Sequence, residues 1–338
     1  MIKIALDKYP FWNSLKIGPN IFLERLSKSL KKLDCKITSR FDPSYNIALF
    51  AIKNKSFFKK PYVIRIGGIF FDKKNTVCNT EAENKKIFDS IDKSSGVIFI
   101  SNFTKELTLK FHKNLTSPNI IINNSVSLKN FSSTGSNKRL QLKIDETTFV
   151  IIVSGSWRRH KRLNETIFFF EKLEKKINNI KLLILGEVKS KINFQSNNII
   201  FAGNVNPEEL PEWYRTGNIY LHLAWIDQNA NTHVEATACG LPSISSNNGG
   251  NKEVIYNCNS GIVSNIDEKY NFDLLDFYNP PEINYEVLED DFMKIYNNYS
   301  SFKKNIKTDS IDIDRAAIKY LNFLKDSYTN NANYKNIR

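Results

Sequence analysis

The sequence predicts an α/β chain built from two parallel-sheet domains. Three observations carry this. Short apolar runs alternate with longer amphipathic stretches along the whole chain, the pattern of parallel strands covered by helices. A small polar stretch, Ser132-Ser-Thr-Gly-Ser-Asn-Lys138, separates two such series. The length, 338 residues, exceeds a usual domain of roughly 100–200.

In the first series, Ile2–Leu6, Ile47–Ile52, Tyr62–Ile66, Gly96–Ile100 and Asn119–Asn123 read as strands. Residues 20–30 form a helix with Ile21, Phe22, Leu26 and Leu30 on one side, and Thr104–Asn114 a second, opened by a Ser/Asn/Thr cluster. In the second series the strands are Phe149–Ser154, Lys181–Leu185, Asn198–Phe201, Ile219–Leu223 and Pro242–Ser245. Helices fall at Leu163–Lys176, Glu208–Arg215 and Thr232–Cys239, then at Tyr285–Tyr299 and Asp314–Tyr328.

Composition narrows the class. With 41% hydrophobic and 25% charged residues the chain has ordinary globular usage. No apolar run approaches the ~18 residues of a membrane-spanning helix, and Met1–Asp7 is too brief for a signal peptide. Cys35, Cys78, Cys239 and Cys258 stand far apart, so they are expected to be reduced structural thiols in a cytoplasmic protein. Residues 1–138 hold 24 Lys+Arg against 10 Asp+Glu, a net of +14, while residues 139–338 hold 24 against 25, a net of −1. Two readings stand side by side. The first half faces an acidic partner, or lysine-rich codon usage produces the excess, since only ten of the 48 basic residues are Arg.

Several chemistries are disfavoured. Neither half has a Gly-x-Gly-x-x-Gly turn or a Gly-x-x-x-x-Gly-Lys-Ser/Thr loop, against dehydrogenases and P-loop enzymes. His112, His160, His222 and His233 lack metal-ligand spacing, and the last three read as structural. A nucleic-acid partner rests on charge alone and ranks last.

The chemistry concentrates between Leu221 and Ile255. A strand enters a polar loop holding Asp227, then a helix holding Glu235, a Gly-Leu-Pro stop, a strand, and the Gly249-Gly250 turn into another helix. In a parallel sheet both loops lie at the carboxyl ends of strands, where ligands bind. Helix N-termini there present N–H groups to anions. Lys161 and Arg158 can supply cations to an anionic ligand there. A carboxylate such as Glu235 takes two hydrogen bonds at once. Asp227 and residues Asn229, Ala230, Asn231 and Thr232 are placed as further polar groups.

This segment resembles the retaining glycosyltransferases of family 4, the glycosyl transferases group 1. The resemblance rests on Glu235-Ala-Thr-Ala-Cys-Gly-Leu-Pro-Ser-Ile244 and Gly249-Gly-Asn-Lys-Glu253. It extends to Val153–Lys161 at a strand end, to Ile199–Leu210, and in the first half to Ser94–Lys105 and Ile121–Ser127. It implies a GT-B fold, with two Rossmann-like domains facing each other across a cleft and a C-terminal helix crossing back to the first. The implied division is 1–138 for the acceptor, 139–311 for the donor and 312–330 for the helix. The implied activity is transfer of a hexose from a nucleotide sugar to a carbohydrate or lipid-linked acceptor, with retention. No cofactor or metal is expected, since basic residues do the neutralising, and the excess positive charge allows at most a peripheral place on a membrane surface. Asp227, Glu235 and Arg65 are the implied catalytic residues. Gly18, Arg158, Lys161 and Asn229–Thr232 bind the diphosphate, Glu235 the ribose, and Gly203, Asn204, Val205 and Leu210 the base.

Three positions depart from the family. The first acidic residue is Asp227 rather than Glu, Ser156 replaces an Arg, and Arg65, Gly67 and Gly68 stand where a His is common. The missing His and the Asp-for-Glu change keep an inactive binding subunit open, and because one fold hosts several functions a nucleotide-sugar epimerase or phosphorylase stays open too. The unbalanced lysines, among them Lys28, Lys31 and Lys32, predict attraction to an anionic membrane surface or acidic acceptor.

Overall fold

The computed structural model describes residues 1–10, 18–74, 79–189 and 192–336, with side chains through Asn331. The chain forms two compact units. Residues Met1–Ser127, Phe272–Leu275 and Ile311–Arg338 make the first, and Leu128–Asn271 with Asp276–Ser310 the second. The polar stretch 132–138 lies inside the second unit, because its side chains and backbone bind there. Arg215 donates to the Ser132 and Ser136 carbonyls, and Lys138 pairs with Glu212 at 2.9 Å.

The first unit is a six-stranded, all-parallel sheet in the order β2-β1-β3-β4-β5-β6. Its strands are β1 (Ile2–Leu6), β2 (Cys35–Ser39), β3 (Ile47–Ala51), β4 (Tyr62–Ile66), β5 (Gly96–Phe99) and β6 (Asn119–Ile121). The three central strands are buried at every position, as helices on both faces require. The helices are α1 (Gly18–Leu30), α2 (Thr80–Asp92) and α3 (Asn102–Phe111). Asn79 caps α2 and Ser101 caps α3 by accepting from first-turn amides at 3.0 Å.

The last helix, α10 (Ile313–Asn336), belongs to this unit. Its Ile313, Ala317, Tyr320 and Leu324 share one buried cluster with Phe22 and Leu26 of α1 and Ile4, Leu49 and Val63 of the sheet.

The second unit repeats the plan, in the order β12-β11-β10-β7-β8-β9, again all parallel. Its strands are β7 (Phe149–Ser154), β8 (Ile180–Leu185), β9 (Ile199–Gly203), β10 (Ile219–His222), β11 (Ser243–Ser246) and β12 (Gly261–Ser264). The helices are α4 (Leu163–Leu173), α5 (Leu210–Arg215), α6 (Asn231–Ala238), α7 (Asn251–Cys258), α8 (Tyr285–Asn297) and α9 (Tyr299–Lys304). Leu163, Phe169 and Phe170 of α4 and Phe292 of α8 pack on Ile151, Leu182 and Ile184 of the sheet. Two six-stranded parallel sheets with helices, and a final helix in the first unit, fulfil the predicted fold class.

Elements absent from the sequence reading have weak patterns. β2 and β12 are edge strands with half-exposed residues, and α2 buries the polar Asn84 and Ser90 beside Ile87 and Ile91. Cys35, Cys239 and Cys258 are buried free thiols, and burial pushes the Cys239 thiol up to about 12. Cys78 lies outside the described residues. Among the described residues no helix is long and apolar enough to cross a membrane.

Candidate active site

Because every strand of the second sheet points the same way, the loops after β7, β10, β11 and β12 emerge at one edge. Two of the predicted residues, Lys161 and Asp227, meet there in direct contact.

The loop after β7 ends in a 3-10 turn, Arg159–Lys161, and Arg162 then starts α4 in the left-handed conformation (φ 58°). This turn directs Lys161 to Asp227 on the loop after β10, and the two form an ion pair. His222, the last residue of β10, reaches the same carboxylate, Nε2 to Oδ2 at 3.5 Å. Burial alone would raise the Asp227 carboxyl. The Lys161 charge and the His222 contact outweigh it and hold the group well below the usual carboxylate range. Asp227 is thus an anion at any working pH.

The backbone of Asp227 is fixed from the other side. Its carbonyl accepts from the Gly250 amide at 2.7 Å. Gly249 sits at φ 91°, and a Cβ there would lie 2.3 Å from the Asp227 carbonyl oxygen. Only glycine permits so close an approach. The Asn229 side chain reaches the Gly250 carbonyl at 3.4 Å, and the Ala230 amide donates to Asn251 Oδ1 at 2.7 Å. The start of α6 is thereby tied to the start of α7, and no side chain caps either helix. Their positive dipole ends come out at the same edge as Lys161.

Glu235 is buried on α6, with the Tyr214 hydroxyl 3.2 Å from Oε2. That hydroxyl is also 3.3 Å from Ser154 Oγ at the end of β7. Burial and the Glu235 charge push the Tyr214 phenol well up. Thr232 is held by the Tyr220 hydroxyl at 3.0 Å. Glu235 and Thr232 are therefore held by two buried tyrosines, Tyr214 of α5 and Tyr220 of β10, neither of which the sequence reading singled out.

The basic cluster divides. Arg158 and Arg159 are exposed, and Arg159 pairs with Glu165. Arg162, grouped with them in sequence, is fully buried against Asp267 instead. The residues assigned to the base follow β9, two strands or roughly 10 Å from β7. Gly203 (φ 65°) accepts from the Gly186 amide at 2.8 Å, and Asn204 Oδ1 from Glu187 at 3.2 Å. Val205 follows in the same loop, and Leu210 opens α5.

Gly18 and Arg65 lie in the first unit. Gly18 is exposed at the start of α1. Arg65 is buried in β4, where Nε donates to the Tyr320 hydroxyl at 3.0 Å and another nitrogen to Asn124 Oδ1. Its guanidinium lies 4.1 Å over the Phe22 ring. These contacts make Arg65 a link between β4, α1 and α10.

Of the histidines read as structural, His233 fits, buried on Ser243 Oγ at 2.8 Å and pushed down to about 3 by burial and the nearby His222. His222 does more, because it touches Asp227. Its position as the last residue of a parallel strand was the available signal.

Comparison with solved structures decides the architecture. Sucrose-phosphate synthase from Thermosynechococcus elongatus superimposes with a TM-score of 0.75 at 13% identity, over 97% of this chain and 100% of that one. The fold is GT-B. Two further GT-B structures agree. One is Anabaena Alr3699/HepE in complex with UDP (TM-score 0.65, 13% identity, 96% of this chain and 100% of that one). The other is WaaG, a glycosyltransferase involved in lipopolysaccharide biosynthesis (TM-score 0.67, 11% identity, 96% and 99%). Residues 136–271 match the family described as glycosyl transferases group 1. That stretch contains Lys161, Asp227, Glu235 and the Gly-Gly turn of the second GT-B unit. A curated relative, spore coat protein SA of Bacillus subtilis (strain 168), is 36% identical over 70 residues, 20% of this chain and 19% of that protein.

Proposed function

We propose that this protein is a retaining glycosyltransferase of family 4 that moves a hexose from a nucleotide-diphosphate sugar to a carbohydrate or lipid-linked acceptor. The observation that carries the reading is the Lys161–Asp227 ion pair, set beside the joined starts of α6 and α7 inside the matched region. Lys161 neutralises the diphosphate, aided by Arg158 and the two helix dipoles. As the sugar–phosphate bond breaks, charge grows on the leaving diphosphate, and cations fixed in advance stabilise it most at the transition state. Asp227, kept ionised, faces the transferred sugar, where positive charge develops. Glu235 holds the ribose, and the loop after β9 receives the base. The neutralisation is done by these side chains, without a metal.

UDP-sugars are the first donors to try, because the Anabaena neighbour was solved with UDP and with UDP-glucose. The test incubates the protein with a panel of nucleotide sugars and follows nucleotide release with and without oligosaccharide acceptors. Release coupled to a glycosylated product of unchanged anomeric configuration supports the reading. Nucleotide binding without release from any donor replaces it with the inactive-subunit alternative.

A further inference from the structure

We propose that two loops of the first unit, residues 40–46 and 52–61, form a docking surface for an anionic phospholipid bilayer. The central observation is a pair of outward aromatic rings. Phe41 is 59% exposed and Phe57 69%, with ring centroids 5.1 Å apart. The Arg40 guanidinium lies over both, 4.9 Å and 5.8 Å from their centroids. Scattered single exposed apolar residues are ordinary, but two adjoining phenylalanines in exposed loops, backed by a cation, are not.

The surrounding charge is one-sided. Asp42 is answered by Lys3 at 2.8 Å, and Glu83 by Lys53 at 2.6 Å. Asp7 is shared by Lys55 at 2.6 Å and Arg40 at 3.6 Å. Lys60 binds the backbone carbonyls of Pro43 and Tyr45. Lys36 and Lys59 are exposed. Within the two loops themselves Arg40, Lys53, Lys55, Lys59 and Lys60 stand against a single carboxylate, Asp42. The lysines of α1 that sequence alone favours are better balanced, Lys28 by Glu24 and Lys32 by Asp314.

Chemistry selects the occupant. Aromatic rings enter the headgroup layer while flanking lysines stay at the phosphate level, and an anionic leaflet attracts excess positive charge. A second copy of the chain is disfavoured, since a self-matching interface here sets excess positive charge against itself. The inference does not depend on the donor reading.

The test is co-sedimentation with vesicles of phosphatidylcholine alone and with roughly one third phosphatidylglycerol. The parent protein should sediment only with the anionic vesicles, at least about tenfold more weakly at about 300 mM than at about 50 mM salt. The double variant Phe41→Ser/Phe57→Ser should lose about tenfold or more of that binding. Phe168→Ser, an exposed ring on α4, should change nothing. Should the double variant melt early, Lys59→Glu alone should still lower the partition at low salt. Equal binding to neutral vesicles, or a double variant that binds like the parent, overturns the proposal. So does a double variant whose main effect is a change in oligomeric mass.

Discussion

Arg162 and Asp267 face each other as a two-toothed ion pair, 2.6 Å and 2.9 Å long, with neither side chain open to solvent. The pair gathers the loop strands of the site. Arg162 also donates to the Pro281 carbonyl at 2.8 Å and approaches that of Leu223 at 3.4 Å, while Asp267 accepts from Ser246 Oγ at 2.9 Å. Arg162 holds a left-handed backbone that costs a non-glycine residue roughly 1 kcal/mol. Asp267→Asn leaves a buried guanidinium half-answered, so it should destabilise the protein by about 3–5 kcal/mol. Urea denaturation measures this, and a loss under about 1 kcal/mol would show the pair to be dispensable.

Lys161→Ala should weaken binding of the free nucleoside diphosphate by about 1.5–3 kcal/mol. The variant loses a cation and also leaves Asp227 as an unbalanced anion near the phosphates. Lys176, paired on the surface with Glu289, provides the contrast. Calorimetry on Lys161→Ala and Lys176→Ala should give one weakened protein and one unchanged. Equal affinities would remove Lys161 from the site.

The two carboxylates should separate kinetically. Glu235→Gln loses a charged acceptor on the ribose, so nucleotide and donor bind worse together and KM rises. Asp227→Asn should bind bare nucleotide almost as the parent does and lose turnover, because its contact matters as charge develops on the sugar. Turnover at the parental rate in Asp227→Asn would reduce Asp227 to a partner for Lys161 and His222.

Gly249→Ala should be among the most damaging small substitutions. The added methyl meets the Asp227 carbonyl at 2.3 Å, and φ at 91° strains any side chain. A loss of about 1–3 kcal/mol is expected from the strain alone, with activity falling further as Asp227 is displaced. Thermal unfolding and donor hydrolysis check both parts.

Acid should unfold the protein through its histidines before its carboxylates. His160 and His233 are pushed down to about 3, first of all by burial, and burial lowers His222 also. Unfolded histidines take up protons below about pH 6.5. Over that window the unfolded state binds more protons, so stability rises with pH and falls as pH drops from about 6.5 towards 3. Each buried histidine contributes a slope of up to about 1.4 kcal/mol per pH unit. His233→Gln, whose amide can still bind Ser243, should flatten the dependence; an unchanged slope would count against His233.

Sequence made the fold and the heart of the site legible for physical reasons. Strands buried on both faces, such as Ile47–Ala51 and Phe149–Ser154, are unbroken apolar runs, and a run of that kind has few other uses. Glu235–Ile244 and Gly249–Glu253 carry a local pattern fixed by one helix and one turn. What stayed hidden depends on contacts distant in sequence. Arg162 looks like one more cation of a basic loop, beside Arg158, Arg159 and Lys161, until Asp267, 105 positions later, is brought beside it. Arg65 looks like a strand-end reactive group until Tyr320, 255 positions away, occupies its Nε. Tyr214 and Tyr220 belong to no motif, and only the folded chain brings their hydroxyls to Glu235 and Thr232.

The placement of α10 also sets an order of synthesis. The first unit takes Ile313, Ala317, Tyr320 and Leu324 into its core, so it stays unfinished while the ribosome adds the second unit. The second unit needs nothing beyond Ser310. A chain stopped at Ser310 should therefore present a protease-resistant second unit and a digestible first one. Of the two units, the one whose synthesis starts earlier is the one completed later.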